Sequence, residues 1–377
     1  MKETVVIGGG PAGAAAAILL ARAGRDVTVL ERNSGPAHKV CGDFLSAAAL
    51  QRLAQLGIDP MELRPARINA VRLIHGNKAA ARPLPFPGIG LSRRALDEAL
   101  LHEAARSGAD VVRGHTVRAV STGGSLIDVD GGPLAGSVLL STGKHDVRGA
   151  RRAAGRGPFI GFKTYLALSR AQAEALRGYV EIVLYGGGYA GLQLTEANAA
   201  TLCLLIRPDQ VAPMASWEGL LDWLRAACPH LAIRLAGSQA MLPRPLAVYG
   251  MPYGWVNRPV PSDHPRLFRL GDQAGVIPSF TGQGVTIALF TAKLAAQAIL
   301  SGWDAWNYHR ALRAEVGALI RRTNRLHRLL SCAAAQRVLA LGCQFCPAVL
   351  GLAEAWTRST GMRRHYSSST ELAHPWT

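Results

Sequence analysis

The chain has 377 residues, 49% of them hydrophobic and 18% charged, which excludes a mainly disordered protein and suggests two domains or one core with a large insertion. Its 42 Lys and Arg outnumber 25 Asp and Glu, for a formal net charge of +17, and only six of the cations are lysines. The arginines are scattered singly and no helix-turn-helix, zinc-finger or RNA-binding signature accompanies them, so the charge points away from nucleic acid. An anionic cofactor, an acidic carrier protein or a membrane surface is the better match.

The six cysteines and the missing export signal predict reduced thiols in a cytoplasmic protein. No run reaches the ~18 apolar residues of a spanning helix. The longest, Val338 to Ala353, is interrupted by Gln344 and Pro347, so any membrane contact is expected to be peripheral.

The N-terminus reads as strand, glycine loop, helix, strand, acid. The β-branched run Thr4-Val5-Val6-Ile7 leads into Gly8-Gly9-Gly10-Pro11-Ala12-Gly13, an alanine-rich helix to Ala23, a stop at Gly24, and a strand Val27–Leu30 ending in Glu31. In this G-x-G-x-x-G pattern Gly8 permits the tight turn, Gly10 lets backbone approach a pyrophosphate, and Gly13 lets helix and strand pack closely. The helix N-terminus faces the negative charge, and Glu31 is placed to accept from a ribose hydroxyl. Taken alone, the fingerprint fits NAD or FAD.

The far end of the chain separates them. A strand, Leu267-Phe268-Arg269-Leu270, precedes Gly271-Asp272-Gln273-Ala274-Gly275, then Pro278, Gly282-Gln283-Gly284 and a helix from about Val285 to Leu300. This resembles the second flavin motif of the FAD family built like p-hydroxybenzoate hydroxylase. Leu91-Ser92-Arg93-Arg94-Ala95-Leu96-Asp97 is similar to that family's S-R-x-x-L-[DE] helix start. Lys39-Val40-Cys41-Gly42 is similar to the K-x-C-G segment of the geranylgeranyl reductase branch, and Pro252-Tyr253-Gly254-Trp255 to its Y-x-W motif. The later positions, Asn257-Arg258-Pro259, depart from that motif, which weakens an assignment to isoprenoids in particular.

The resemblance implies bound FAD, with a cofactor-binding set of Gly8, Gly10, Ala12, Gly13, Glu31, Arg32, Cys41, Gly42, Arg93, Asp272, Gly282 and Gly284. Within it, Asp272 is the ribityl contact, and Gly282 and Gly284 lie at the pyrimidine edge, where helix N-terminal amides stabilise negative charge. Tyr253 and Trp255 are the implied substrate-facing rings. No side chain is singled out as catalytic, because the cofactor carries the chemistry. The tryptophan halogenase W-x-W-x-I-P pattern is absent.

The middle Asp-Gly motif of the hydroxylases is altered. Val138–Ser141 is followed by Thr142-Gly143-Lys144-His145-Asp146-Val147-Arg148, read as a structural turn with a salt bridge to Arg148 in preference to an acid/base pair. Gly186-Gly187-Gly188 lies between two strands and reads as a hairpin turn, so NADPH or NADH binds transiently or electrons come from a partner reductase. Cys343-Gln344-Phe345-Cys346 is a single C-x-x-C, and no metal site is expected.

The expected architecture is α/β: a discontinuous Rossmann-type FAD-binding domain (1–75, 90–155 and 262–302), an inserted β-sheet substrate domain (156–261 with 76–89), and a C-terminal helical region and tail (303–377). In the last, Leu312, Val316, Leu319, Thr323, Leu326 and Leu330 form one apolar seam with arginines mostly off it. This helical region is read as a cap packed on the flavin domain or as an interfacial membrane element. The function implied is an FAD-dependent oxidoreductase acting on a hydrophobic polyketide, isoprenoid or aromatic molecule of specialised metabolism, by hydride transfer at the flavin. A flavin monooxygenase is the alternative, and a non-catalytic flavoprotein that binds a carrier or membrane is the alternative of another class.

Overall fold

In a computed structural model, residues 2–345 are described, apart from 131, 133, 156 and 215. The continuation of the apolar stretch to Ala353, the later Arg358, Arg363 and Arg364, and Cys346 lie outside the described residues.

Two sheets organise the chain. The smaller is five parallel strands in the order Leu267–Arg269, Ala135–Leu140, Lys2–Ile7, Val27–Glu31, Asp110–Arg113. The strands from the two ends of the chain thus lie two apart, on either side of one common neighbour. The alanine-rich helix Pro11–Arg22 packs on this sheet with nine buried residues, Pro11 and Ala12 among them. Its run of small side chains lets Gly284–Leu300 pack alongside, and the two helices share one core with Leu96, Leu100, Phe268 and Tyr308.

The larger sheet is mixed. Ile160–Ala167, Ala200–Ile206, Gly188–Leu194 and Gly178–Tyr185 pair antiparallel in that order. Gly178–Tyr185 then pairs parallel with Ala66–His75, which forms a long hairpin with Lys78–Gly90. The hairpin at Tyr185-Gly186-Gly187-Gly188 is as expected, with Gly187 at φ +85°. Residues 66–75, which the sequence reading keeps with the flavin unit, are hydrogen-bonded into this large sheet. Alternation along Ala66–His75 does not show which sheet it joins. The outer face carries a second core, covered by Trp217–Ala227, whose N-cap Ser216 accepts from the Gly219 amide at 3.1 Å.

The helix Ala305–Leu330 buries Leu312, Val316, Leu319, Thr323 and Leu330 and leaves Arg310, Arg321, Arg325 and Arg328 exposed. It packs against the neighbouring long helix and the strand Leu267–Arg269, and the next helix, Ala333–Phe345, turns onto the large sheet. Among the described residues no helix is long and apolar enough to cross a membrane.

Candidate functional site

The glycine loop is shaped by contacts that exclude side chains. Gly8 has φ +102°, and a Cβ at Gly13 would lie 2.0 Å from the Gly8 carbonyl and 2.4 Å from Ser141 Oγ. Ser141 Oγ donates to the carbonyls of Ile7 and Gly8, both at 2.8 Å, tying the loop to the strand Ala135–Leu140. Ala12 is buried, its Cβ facing Gly271 of the second glycine turn, where an added Cβ would lie 3.2 Å away.

Glu31 closes the loop from below. Oε2 accepts from the Gly9 amide at 2.8 Å, Oε1 accepts from the Asn33 amide at 3.0 Å and from the Asn33 side chain, and Lys39 Nζ lies 3.7 Å away. Burial works against its charge, but the Asn33 and Gly9 amides and Lys39 outweigh it and hold the carboxyl below its ordinary range. The residue expected to meet a ribose therefore also fixes the loop itself.

Above the loop lies a groove of about 600 Å³ whose walls include Gly8, Gly10, Glu31, Arg32, Lys39, Arg93, Lys144, Arg118, Arg148 and Asp272. Cations dominate it. Burial first, then Arg32, Lys39, Lys144 and Arg152, push the His145 imidazole down, and its Nε2 accepts from Arg32 Nη2 at 3.1 Å. Arg93 is clamped by Asp97 (2.7 and 2.9 Å), and the end of its guanidinium sits beside Gly10. Burial opposes its charge, yet Asp97 raises it further into the charged range. The groove fits a dinucleotide: positive charge for a pyrophosphate, bare backbone at the helix start, and carboxylates at Glu31 and Asp272.

The chain turns at Gly143–Lys144, where Thr142 Oγ1 donates to the His145 carbonyl at 2.5 Å. The ion-pair partner differs. Asp146 pairs with Arg152 at 2.8 Å, because Arg152 folds back to donate also to the Lys144 and Asp272 carbonyls. Arg148 instead runs beside Ala119 through its backbone, and its side chain is exposed.

The groove shares Val40, Lys144 and Val248 with a second, apolar cavity of about 260 Å³. Its floor is the inner face of the large sheet (Val71, Leu73, Val180, Ile182, Leu205), and its far wall is Phe280, Leu326, Leu330 and Leu339. Cys41, Gly42, Gly282 and Gln283 also line it, and Gly284 opens the long helix next to Gln283 with no atom within 4 Å of a would-be Cβ. Tyr253 lines the cavity, its hydroxyl 3.4 Å from Ser279 Oγ. Trp255 is not among the residues that line it; the Gly254 amide donates to the Val276 carbonyl at 2.9 Å and the Val276 amide to the Trp255 carbonyl at 2.8 Å. Cys203 donates to the Cys41 carbonyl at 3.1 Å, and burial pushes its thiol up to about 12, so it stays protonated.

Three residues that motif reading passed over hold the junction. The Asp43 carboxylate, fully buried, accepts from Lys163 Nζ and Tyr165 Oη, both at 2.6 Å, and from the Arg93 amide at 3.3 Å. Lys163 is the one charged residue in the strand Ile160–Ala167, and that oddity is the sequence signal that could have found it. The contacts pin residues 39–45 between groove and cavity.

A sequence profile described as an FAD binding domain matches residues 1–129. The chain is 28% identical over 331 residues to menaquinone reductase of Mycolicibacterium smegmatis, covering 80% of this chain and 76% of that one. It is 25% identical over 354 residues to digeranylgeranylglycerophospholipid reductase 1 of Methanothermobacter thermautotrophicus, covering 84% and 83%. Among solved structures, the flavin-dependent brominase Bmp2 superposes with a TM-score of 0.76 at 17% identity (94% and 93% covered). A geranylgeranyl bacteriochlorophyll reductase-like protein from Thermoplasma acidophilum does so at 0.71 and 18% (93% and 94% covered). At these identities the structural likenesses speak for the fold.

Proposed function

We propose that this chain, an FAD-dependent oxidoreductase related to the menaquinone and geranylgeranyl-type reductases, saturates a carbon–carbon double bond of a hydrophobic, isoprenoid-type molecule held in the apolar cavity. The observation that carries this reading is the joining of a cationic dinucleotide groove to an apolar cavity along the shared residues Val40, Lys144 and Val248. FAD, when bound, supplies the hydride such a reduction needs. Lys39, Arg32 and Arg93 would offset its pyrophosphate charge. Glu31 and Asp272 would take sugar and ribityl hydroxyls, and the start of the helix Gly284–Leu300 would face the pyrimidine edge. The apolar floor and far wall exclude water and hold a flexible hydrocarbon by contact area rather than by directed bonds. The names of the two relatives, both reductases, favour reduction over oxygen transfer. NADPH or NADH serves as the transient reductant in this reading.

The test is an anaerobic titration of the FAD-loaded protein with NADPH, followed by addition of a polyprenyl substrate in deuterated and in ordinary buffer. Bleaching of the flavin band, then recovery with gain of two hydrogens in the product, is expected. Product formed only on readmission of air and carrying oxygen-18 from labelled O₂ overturns the reading in favour of a monooxygenase.

A further inference from the structure

The apolar cavity holds a buried amide with nothing to bond to. Gln193 is 1% exposed, and neither its Oε1 nor its Nε2 has a hydrogen-bond partner. Strand register sets its direction. Gly191 and Tyr189, two and four residues earlier, share its face, and Cys203 stands opposite Gly191. All of them line the cavity, as does Gln193. Thr201 stands directly across from Gln193 on the adjoining strand and its Oγ1 is likewise unpartnered, whereas the other polar groups nearby are engaged: Tyr189 Oη with Ser279, Cys203 Sγ with the Cys41 carbonyl, Lys144 Nζ with the Val40 carbonyl. An apolar residue of the same size would pack there without penalty, whereas an unpaired buried amide forfeits its bonds to water.

Resting on the function proposed above, we propose that Gln193 is the anchor for an uncharged hydroxyl on the substrate, an alcohol or phenol. The amide presents a donor and an acceptor side by side. A hydroxyl accepts from Nε2 and donates to Oε1 at once. A bare carbonyl or an ether leaves Oε1 unpaired, and an ionised phosphate ester does the same while bringing charge among hydrocarbon walls. The cavity would thus select the free alcohol over its capped or esterified forms.

The experiment uses the FAD-loaded full chain and three probes, geranylgeraniol, its methyl ether and its monophosphate, with binding read from the perturbation of the flavin absorbance. Wild type is expected to bind the alcohol about ten-fold more tightly than the ether, the worth of one added hydrogen bond, and the monophosphate more weakly still. Gln193→Leu and the size-matched Gln193→Met should erase the alcohol–ether ratio by weakening the alcohol more than the ether, with FAD affinity and spectrum unchanged. Equal affinities for alcohol and ether in wild type overturn the proposal, since a trapped water then completes the amide. So does a ratio that survives both substitutions, or a changed flavin spectrum in the variants, which assigns the amide to the cofactor. Failure of all three probes to bind wild type defeats the isoprenoid reading as well, and so differs from a failure of Gln193 alone.

Discussion

Asp43 carries a buried carboxylate between Lys163, Tyr165 and the Arg93 amide, with its own backbone at φ +59° where the chain leaves the groove for the cavity. Removing one partner of such a pair strands the other charge away from water, at a cost of about 3–5 kcal/mol. Asp43→Asn should therefore lower the denaturant midpoint by a corresponding amount, and Lys163→Met added to it should recover most of the loss, because the stranded ammonium is gone. A midpoint unmoved by the single change would show that Lys163 finds other partners. At Glu31 the expected effect is on the cofactor. Glu31→Gln weakens the acceptor that holds the Gly9 amide and removes the negative charge near Lys39, so FAD affinity should fall about 10- to 100-fold, as judged for a charged hydrogen bond and read by quenching of flavin fluorescence. An unchanged affinity would remove Glu31 from the binding set.

Between elements, close packing decides more than propensity. The first strand and the helix Pro11–Arg22 meet at Gly13, where a methyl group would overlap the Gly8 carbonyl and Ser141 Oγ. Gly13→Ala must push helix from strand and with them the amides that face the groove. The purified variant is expected to be colourless and to bind no added FAD, while Gly123→Ala, in open space at an ordinary φ, should bind like wild type. A yellow Gly13→Ala protein would mean that the loop has slack the packing does not show. The same crowding recurs in the large sheet, where a Cβ at Gly90 would lie 1.9 Å from the Leu194 carbonyl. Neither approach distance is written in a local pattern. The G-x-G-x-x-G spacing implies the first, and nothing in the sequence implies the second.

Across the whole molecule, two histidines from one helix are buried neutral. Burial, helped by Arg269, pushes His309 down to about 3, and burial alone pushes His327 down to about 4. His309 Nε2 accepts from the Arg269 amide, while His327 lies among Phe159, Tyr189, Tyr253 and Phe280. Both values lie below the unfolded value near 6.5, so between about pH 4 and 6.5 the unfolded chain binds more protons and stability falls as pH falls. The slope approaches about 1.4 kcal/mol per pH unit for each histidine well below pH 6.5, which integrates to about 3 kcal/mol in total between pH 6.5 and 5. Denaturant unfolding at pH 7 and pH 5 should show this loss, and His327→Phe, which suits its aromatic surroundings, should remove about half of it. A variant with the full wild-type pH dependence would place the titration elsewhere.

The sequence by itself determined the cofactor frame. The glycine spacing, the acid at Glu31, the second glycine turn and the apolar seam of the C-terminal helix are local patterns, each tied to a backbone need that only certain residues meet. Tertiary structure decided what sits opposite what: that residues 66–75 join the large sheet, that Asp146 pairs with Arg152, and that Asp43 meets Lys163. Those pairings join residues far apart in the chain. A buried lysine or an unpaired glutamine has meaning only once the sheet register shows which face it shares and what, if anything, stands across from it.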